Sequence, residues 1–222
     1  MNNIFTLPDY VAHFVSTFAC TDEREDTACI RIEKLKNSRT MIVSALDGHS
    51  CMLAKMDSDI MLECELQEPI CLKINKSVIK FFAEYAAKSV KNRVFGIKFQ
   101  QQEDNEVFTA IRNDSVAITM DILPQTTAEF LNPRKFFEKF DRQENEDTVH
   151  SDEETFCIPF NAYTAFSLKK YKKDSILPIF KTNKAMTLVL YPESVISENV
   201  HFKAIVMQCR TKGRKIDNFD ID

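Results

Sequence analysis

Residues 40–56 read TMIVSALDGHSCMLAKM and decide the fold, because they predict a β-hairpin. Two mainly apolar runs, 40–46 and 50–56, have the length and composition of strands, and Asp47-Gly48 lies between them. An Asp-Gly pair suits a tight hairpin turn, since both residue types tolerate the positive φ values that the turn requires. The stretch therefore indicates an antiparallel sheet.

Helix and strand patterns alternate in a repeated order on both sides of this hairpin. Apolar residues at helical spacing predict a first helix, with Pro8 in its first turn, and a second helix over about 76–91. Strand patterns cover 27–35, 40–46 and 50–56 after the first helix, and 93–100, 106–111 and 115–122 after the second. The order helix, three strands, helix, three strands is an internal repeat. It predicts an α+β fold with helices on one face of antiparallel sheets.

The pattern becomes shorter in the second half of the chain, which we divide into separate regions. Residues 1–128 form a complete domain, 129–210 a shorter second domain, and 211–222 a tail. The second domain contains an acidic, loop-like insert over 141–154. This division predicts one full copy of the repeated unit and one incomplete copy.

The second domain begins with a predicted helix over 133–142. Asn132 suits its cap and Pro133 its first position. A further helix is predicted near 162–173, followed by strands over 185–191 and 200–207.

The composition limits the classes of protein to which the chain belongs. Its 222 residues contain no apolar run near the roughly 20 residues that cross a bilayer, and the first residues lack the pattern of a signal peptide. The seven cysteines are an odd number without framework spacing, so we expect free thiols in a reducing cytoplasm. Three glycines cannot supply a Gly-rich phosphate loop, and the four histidines lie in no metal-binding motif. We therefore expect neither a metal nor a cofactor.

A cluster at the hairpin, Asp47, His49, Ser50 and Cys51, contains residue types that occur in nucleophilic catalysis. A catalytic triad needs groups that the fold brings together and orients. Neighbours on a turn and a strand instead point in alternating directions, so we favour a turn followed by a strand. The less favoured alternative is a hydrolase that uses Cys51 or Cys157 with His49. We expect no enzyme activity.

Charge is segregated along the chain, although the net charge is −4. Residues 141–154 hold seven acids against one arginine, whereas residues 73–93 hold six bases against one acid. The basic residues at three predicted helices are Lys73, Lys76, Lys80, Lys88 and Lys91; Arg134, Lys135 and Lys139; and Lys169, Lys170, Lys172 and Lys173. The predicted polar face of the first helix, in contrast, is uncharged and consists of Tyr10, His13, Ser16 and Thr17.

One basic helix face is more often solvated surface than a binding site. Three such helices in an acidic protein indicate a shared anionic partner. Aromatic residues are not interleaved with these bases, so contact with phosphates fits better than stacking on single-stranded bases.

Five segments together resemble the bacterial DNA sliding clamp, the β subunit of the replicative DNA polymerase. Ala45-Leu46-Asp47-Gly48-His49 is similar to the A-x-D-G-H core of a strand–turn–strand stretch in that family. FTLPDYVAHFVSTF resembles the start of the family's middle domain, ILPQTTAEFLNPRKFF its closing loop, IPFNAYTAFSLKKYKK the F-N helix of the last domain, and AIVMQCR the terminal V-M-P-M-R. Ser50-Cys51 replace the usual Arg-Leu, Gln208 replaces a proline, and the usual F-P-D-Y is lost.

The resemblance implies a DNA-clamp fold and a role as a DNA polymerase processivity factor that encircles duplex DNA without sequence specificity. Clamp domains place helices inside a ring and continuous sheets outside, so the basic residues named above would face the DNA. The resemblance further implies a homo-oligomeric ring, with a trimer favoured by the length of this chain, and a DNA polymerase and a clamp loader as partners. The brevity of the chain is compatible with a phage or mobile-element origin.

The family binds partner peptides in a pocket between its last two domains. The matching positions here are Gly48, His49, Ser50 and Cys51; Leu131, Lys135 and Phe136; and Val206, Met207, Gln208 and Cys209. The departures from the family at these positions indicate a different partner peptide.

The alternative function is a clamp-derived module that does not close a ring, binds polymerase-type peptides and regulates replication. A buried strand is the alternative interpretation of Val206 and Met207.

Overall fold

A unit of one strand, one helix and three strands occurs twice in succession. The structure is a computed structural model that describes residues 2–16, 18–19, 28–36, 38–46, 50–57, 65–89, 96–101, 107–124, 132–146, 179–182, 186–190 and 200–207. The first unit contains β1 (Asn2–Pro8), α1 (Asp9–Ser16), β2 (Cys29–Lys34), β3 (Met41–Leu46) and β4 (Ser50–Met56). The second contains β5 (Ile70–Lys73), α2 (Lys76–Ser89), β6 (Gly96–Gln101), β7 (Val107–Ile111) and β8 (Ala117–Asp121). This order confirms the predicted α+β fold and its internal repeat.

The first strands of the two units are exchanged between their sheets. β1 pairs with β6 of the second unit, and β5 pairs with β2 of the first, both in antiparallel orientation. One sheet therefore has the order β1-β6-β7-β8, and the other begins β5-β2-β3-β4. Because each sheet takes a strand from each unit, the two units form one domain.

Neither of these exchanged strands is predicted from the sequence, in which Pro8 suits the first turn of a helix. Pro8 ends β1 instead, and α1 begins at Asp9. Phe5 and Leu7 are buried at alternate positions, as strand residues are. So short an alternation, directly before a helix, does not stand out from the helical pattern.

The later part of the chain extends the sheet that contains the predicted hairpin. It contributes α3 (Arg134–Glu146), β9 (Ile179–Thr182), β10 (Met186–Leu190) and β11 (Val200–Met207). β11 pairs with β4, which gives a seven-stranded sheet in the order β5-β2-β3-β4-β11-β10-β9. The strands predicted over 185–191 and 200–207 are confirmed. The helix predicted near 162–173 and the tail 211–222 lie outside the described residues.

The acidic insert is helical in its first part, which corrects the prediction of a loop beginning at residue 141. α3 extends to Glu146, beyond the predicted end at residue 142. The apolar pattern stops at Phe140 and so predicts an earlier end, whereas the helical backbone continues to Glu146. Residues 147–154 lie outside the described part of the chain.

One hydrophobic core lies between the two sheets and includes both α1 and α2. Every second residue of the central strands points into it, as the alternation of side chains along a strand requires. These residues include Met41, Val43 and Ala45 of β3, Met52, Ala54 and Met56 of β4, and Val200, Phe202, Ala204 and Val206 of β11. The intervening residues of these strands face the opposite side of the seven-stranded sheet, which we call the outer face.

α1 is buried along its whole length, which corrects the polar face predicted for it. Tyr10, His13 and Ser16 are all buried. The rings of Tyr10 and Phe14 meet the ring of Phe202 in β11, with centroid distances of 6.5 and 5.0 Å. The covering strand comes from the far end of the chain, so the helix sequence alone could not reveal this burial.

Arg112 fixes α2 against the β7–β8 hairpin. Its buried guanidinium donates a hydrogen bond to the Phe81 carbonyl oxygen at 3.2 Å and lies 4.8 Å from the centre of the Phe81 ring. The carboxylate of Asp114 accepts two further hydrogen bonds from it, at 3.1 and 3.0 Å. These contacts satisfy the buried charge and hold α2 in a fixed orientation.

The contact between Gly96 and Thr6 tests the β1–β6 pairing. A Cβ atom added at Gly96 would lie 2.1 Å from Thr6 Cγ2. We expect Gly96→Ala to lower the free energy of unfolding by about 1–3 kcal/mol, as overpacking does. Thr6→Ser removes the clashing methyl group and keeps the hydroxyl, so the double variant should regain much of this loss. Urea denaturation of the unmodified protein, Gly96→Ala, Thr6→Ser and the double variant measures the coupling energy between the two positions. A double variant no more stable than Gly96→Ala would contradict the described contact.

Candidate DNA-facing and partner-binding surfaces

α2 exposes lysines on the side opposite to its buried residues. Asn75 caps the helix, and its side-chain oxygen accepts a hydrogen bond from the Val78 backbone at 3.0 Å. Val78 and Phe82 point into the core, whereas Lys76 and Lys80 are exposed. Residues four apart lie on the same side of a helix, so these two lysines form one basic surface.

The charge of this surface is partly balanced on the helix itself. Lys80 forms an ion pair with Glu84 at 3.7 Å, and both side chains are solvated. Such an exposed pair contributes little to stability, so Lys80 stays available to an anion. Lys73, also predicted to face DNA, is half-buried on β5. The side chains of Lys88, Lys91, Lys169, Lys170, Lys172 and Lys173 lie outside the described part.

α3 packs on the outer face of the seven-stranded sheet, away from α1 and α2. Phe137 and Phe140 are buried there, 5% and 1% exposed. They cover an apolar strip that consists of Ile42, Cys51, Leu53, Leu188 and Ile205. Lys203 Nζ lies 4.1 Å from the centre of the Phe137 ring, a cation–π contact on the same face. The strip spans strands from both ends of the chain, so α3 covers the junction between them.

An ionic bridge holds the first turn of α3. Glu33 of β2 accepts hydrogen bonds from Arg31 at 2.5 Å and from Arg134 of α3. Arg31 is almost fully buried and Glu33 largely so, which strengthens the interaction relative to a surface pair. Asn132 caps the helix by accepting a hydrogen bond from the Arg134 backbone at 3.1 Å, as predicted. Sequence reasoning missed Arg31 and Glu33, since no local pattern connects β2 with a helix about a hundred residues later.

The basic residues of α3 therefore lie on a different side of the molecule from those of α2. Lys135 and Lys139 are exposed on the outer face, and Arg134 is engaged by Glu33. All three are predicted from the sequence to share the DNA-facing surface of Lys76 and Lys80. The structure does not bring the two groups together, because the seven-stranded sheet separates them.

The described residues of the predicted peptide pocket divide into buried and exposed groups. Ser50, Cys51 and Val206 are buried, at 7%, 5% and 1% exposure. Lys135 and Phe136 on α3 are exposed, and Phe136 keeps 42% of its surface accessible. The backbone of Met207 ends β11. Gly48, His49, Leu131, Gln208 and Cys209, like the side chain of Met207, lie outside the described part.

A small cleft opens beside the start of α3. It is lined by Cys29, Arg31, Ser44, Ala45, Leu46, Cys51 and Pro133. Two predicted pocket segments thus approach each other here, since Cys51 follows the D-G-H turn and Pro133 precedes α3. Val206 lies in a buried strand, which is the alternative interpretation given for it above, because its side chain points into the main core.

Two further features bear on the class of site. None of the helices in the described ranges is long and apolar enough to cross a membrane. Within the same ranges, no group of three or more histidine, cysteine, aspartate or glutamate side chains is placed to hold a metal ion.

No family model and no curated relative matches the chain. Solved structures do match it. The Helicobacter pylori beta clamp bound to a DNA ligase peptide superposes with a TM-score of 0.53 at 9% identity, covering 96% of this chain and 68% of that one. The DNA polymerase III beta subunit of Thermotoga maritima gives 0.54 at 14% identity, covering 94% and 66%. The DNA polymerase sliding clamp of Pseudomonas aeruginosa gives 0.51 at 11% identity, covering 95% and 68%.

The fold is that of the sliding clamps. The clamp architecture implied by the five sequence segments is thus confirmed, although identities of 9–14% show the architecture alone. This clamp-fold chain spans about two thirds of the length of the clamps that it matches.

Phe140 and Phe136 test how α3 docks on the clamp sheet. Replacing Phe140 with Ala removes a ring that is 1% exposed, and we expect a loss of about 3–5 kcal/mol in the free energy of unfolding. Phe136→Ala is the matched control on the same helix, and its cost should stay within about 0.5 kcal/mol. Denaturation followed by circular dichroism measures both, with proteolysis to detect local release of α3. Equal costs would show that α3 does not dock through Phe140.

Proposed function

We propose that the chain is a DNA polymerase processivity factor, a sliding clamp that assembles into a ring around duplex DNA. The observation that carries the proposal is the clamp fold together with a helix, α2, that exposes lysines away from the sheets. A ring retains DNA by topology, so its inner surface needs attraction to phosphates and no contact with bases. On this proposal the chain works in the cytoplasm, without enzyme activity, beside a DNA polymerase and a clamp loader.

DNA contact is assigned to α2 and not to α3. Lys76 and Lys80 lie on a helix that packs on the inner side of the seven-stranded sheet, whereas Lys135 and Lys139 lie on its outer side. A duplex inside a ring meets only one of these sides. Solvated lysines attract phosphates through released counterions without fixing the position of the DNA, which is compatible with sliding.

Ring closure is proposed from the strands that end the two sheets in the described part of the chain. β9 ends the seven-stranded sheet, and β1 and β8 end the other. An unpaired strand edge invites pairing with another chain, and closed symmetry satisfies all copies equally. The closed form proposed is a homotrimer.

Charge reversal on α2 tests the DNA surface. Lys76→Glu with Lys80→Glu should weaken retention on circular duplex DNA equally for all sequences. It should also reduce the slope of log K against log salt by about 2, since each lysine–phosphate contact contributes about 1. Lys135→Glu with Lys139→Glu, on the outer face, is the matched control and should change neither quantity. Retention that survives the α2 changes would make these lysines ordinary solvated surface.

Topology is tested on the unmodified protein. A ring slides off when the circular DNA is cut, whereas a protein that grips DNA stays bound. Light scattering at micromolar concentration should give the mass of a trimer. A monomer would favour the second candidate, a non-ring module that binds polymerase-type peptides and regulates replication.

A peptide-binding site on the outer face is the second part of the proposal. The Helicobacter pylori clamp is a complex with a DNA ligase peptide. Two of the segments predicted to form a pocket in this chain approach each other at the start of α3, through Cys51 and Pro133. Cys51 and Val206 are buried, so Phe136 and Lys135 are the described pocket residues that are exposed to a peptide. We add Met207, at the end of β11, as a predicted contact. An exposed aromatic side chain next to a lysine suits an apolar peptide that carries a carboxylate.

Truncating Phe136 tests this site. We expect Phe136→Ala to weaken binding of a polymerase-tail peptide by about 2 kcal/mol, as for an interface anchor, which corresponds to roughly thirtyfold in Kd. Met207→Glu should have a similar effect, and DNA retention should not change. Val116→Ala is the matched control, since Val116 is 44% exposed and lies between β7 and β8, away from α3. Calorimetry decides the assignment, and unchanged binding by both Phe136→Ala and Met207→Glu would remove it.

A further inference from the structure

Cys29 and Cys71 lie side by side on the outer face of the seven-stranded sheet. The register pairs Arg31 with Cys71 and Cys29 with Lys73, so the two cysteines are diagonal neighbours on adjacent strands. Neither is in a disulfide; they are 2% and 0% exposed and form a separate small cluster with two flanking leucines. Neither residue takes part in the proposed contacts with DNA or peptide.

The surroundings of the pair favour the thiolate form of Cys71. A hydrogen bond from Cys29 lowers the pKa of the Cys71 thiol, burial opposes this, and the positive charge of Arg31 lowers it further. The net pKa of Cys71 lies below its ordinary value. Arg31 and Lys73 are the charged groups of the described chain that face the pair. Glu33 forms an ion pair with Arg31. Because a thiolate is the reactive form of cysteine, Cys71 is the nucleophile and Cys29 its neighbour.

The cleft beside α3 reaches Cys29, whereas Cys71 is not part of its lining. Cys29 and Arg31 form part of its lining, together with Pro133 at the start of α3. β5, which carries Cys71, has four residues and is the last strand of the seven-stranded sheet. On its other side, Leu72 is bridged to Ile122, and the Leu123 backbone donates a hydrogen bond to the Cys71 carbonyl oxygen at 2.9 Å. Short terminal strands open locally at lower cost than central ones, so a small reagent gains access without global unfolding.

We propose that Cys29 and Cys71 form an oxidisable dithiol site, which hydrogen peroxide converts into a reversible intramolecular disulfide. The Cys71 thiolate attacks one peroxide oxygen, the O–O bond breaks, and a Cys71 sulfenic acid and hydroxide are formed. The hydroxide takes the proton of Cys29 and becomes water. The Cys29 thiolate then attacks the sulfenic sulfur, the S–S bond forms, and the S–O bond breaks with release of hydroxide. Two thiols are oxidised, and one peroxide is reduced.

The geometry makes this disulfide strained and readily reduced. Diagonal neighbours on antiparallel strands are separated by about 7–8 Å, whereas relaxed disulfides span about 4.4–6.8 Å between Cα atoms. Closure therefore draws β2 and β5 together. Strained disulfides have more oxidising potentials and are the labile ones, so the site suits reversible modification and not permanent cross-linking.

Peptide mapping tests the proposal. The folded chain is treated with hydrogen peroxide, free thiols are blocked with N-ethylmaleimide, and the digest is measured by mass spectrometry. The peptides that carry Cys29 and Cys71 should be linked and two hydrogens lighter, and dithiothreitol should restore both thiols. Cys51 is the matched control, because it is also buried on the outer face. It should stay reduced under the same treatment.

Variants assign the roles of the two thiols. Cys71→Ser should abolish the linkage, and Cys51→Ser should leave it unchanged. Iodoacetamide at neutral pH should alkylate Cys71 faster than Cys51 in the unmodified protein. These readouts on the unmodified chain decide the question even where Cys71→Ser does not fold. Full maleimide labelling of Cys29 and Cys71 after peroxide, or alkylation of Cys71 no faster than that of Cys51, would overturn the proposal and leave the proposed clamp function untouched.

Discussion

The antiparallel pairing of β4 with β11 is the constraint on which the rest of the structure depends. It joins Val200 to Met56 and Val206 to Ser50 in one continuous register. This pairing turns a four-stranded sheet into one of seven strands, brings Phe202 over α1, and places Ile205 beside Cys51 and Leu53. Without this pairing, the main core would lose the inward-facing residues of β11, and the apolar strip under α3 would lose Ile205. A shift of one residue would exchange the two faces of β11, and would therefore disrupt both clusters together.

The two faces of this sheet use different physical means to bind their helices. The inner face buries an extensive apolar core, in which α1 is enclosed and α2 is fixed by the Arg112 guanidinium. The outer face holds α3 by two aromatic rings and by the Arg31–Glu33–Arg134 bridge. A buried carboxylate between two guanidinium groups is costly to desolvate but orients its partners strongly. The outer arrangement thus specifies where α3 lies, while the inner core supplies most of the stability.

Local patterns in the sequence predict the elements well and their mutual placement less well. The hairpin, the two helices, the strands and the repeat follow from residue periodicity and turn residues such as Asp47-Gly48, and five segments indicate the clamp architecture. The exchanged strand β1 is missed because its alternation is short and ends in a proline. The amphipathic pattern of Phe137 and Phe140 predicts that α3 docks, but no periodicity states on which face of a sheet it does so. The separation of its lysines from those of α2, and the role of Glu33, depend on contacts distant in sequence and therefore appear only in the fold.

The exchange of β1 and β5 between the two repeated units constrains the order in which the chain acquires structure. β1 pairs with β6, and Asn2 lies opposite Gln101 in this pairing. This sheet therefore cannot begin to form until the chain has been synthesised as far as β6. At about 5–20 residues per second on the ribosome, the first strand stays unpaired for several seconds. Pairing at such separations raises the mean sequence distance between contacting residues, which slows folding. Neither repeat is therefore an autonomous folding unit. A nascent chain that ends between the two repeats exposes the apolar strand β1 without its partner strand. Chaperones bind such exposed apolar strands, which aggregate in their absence.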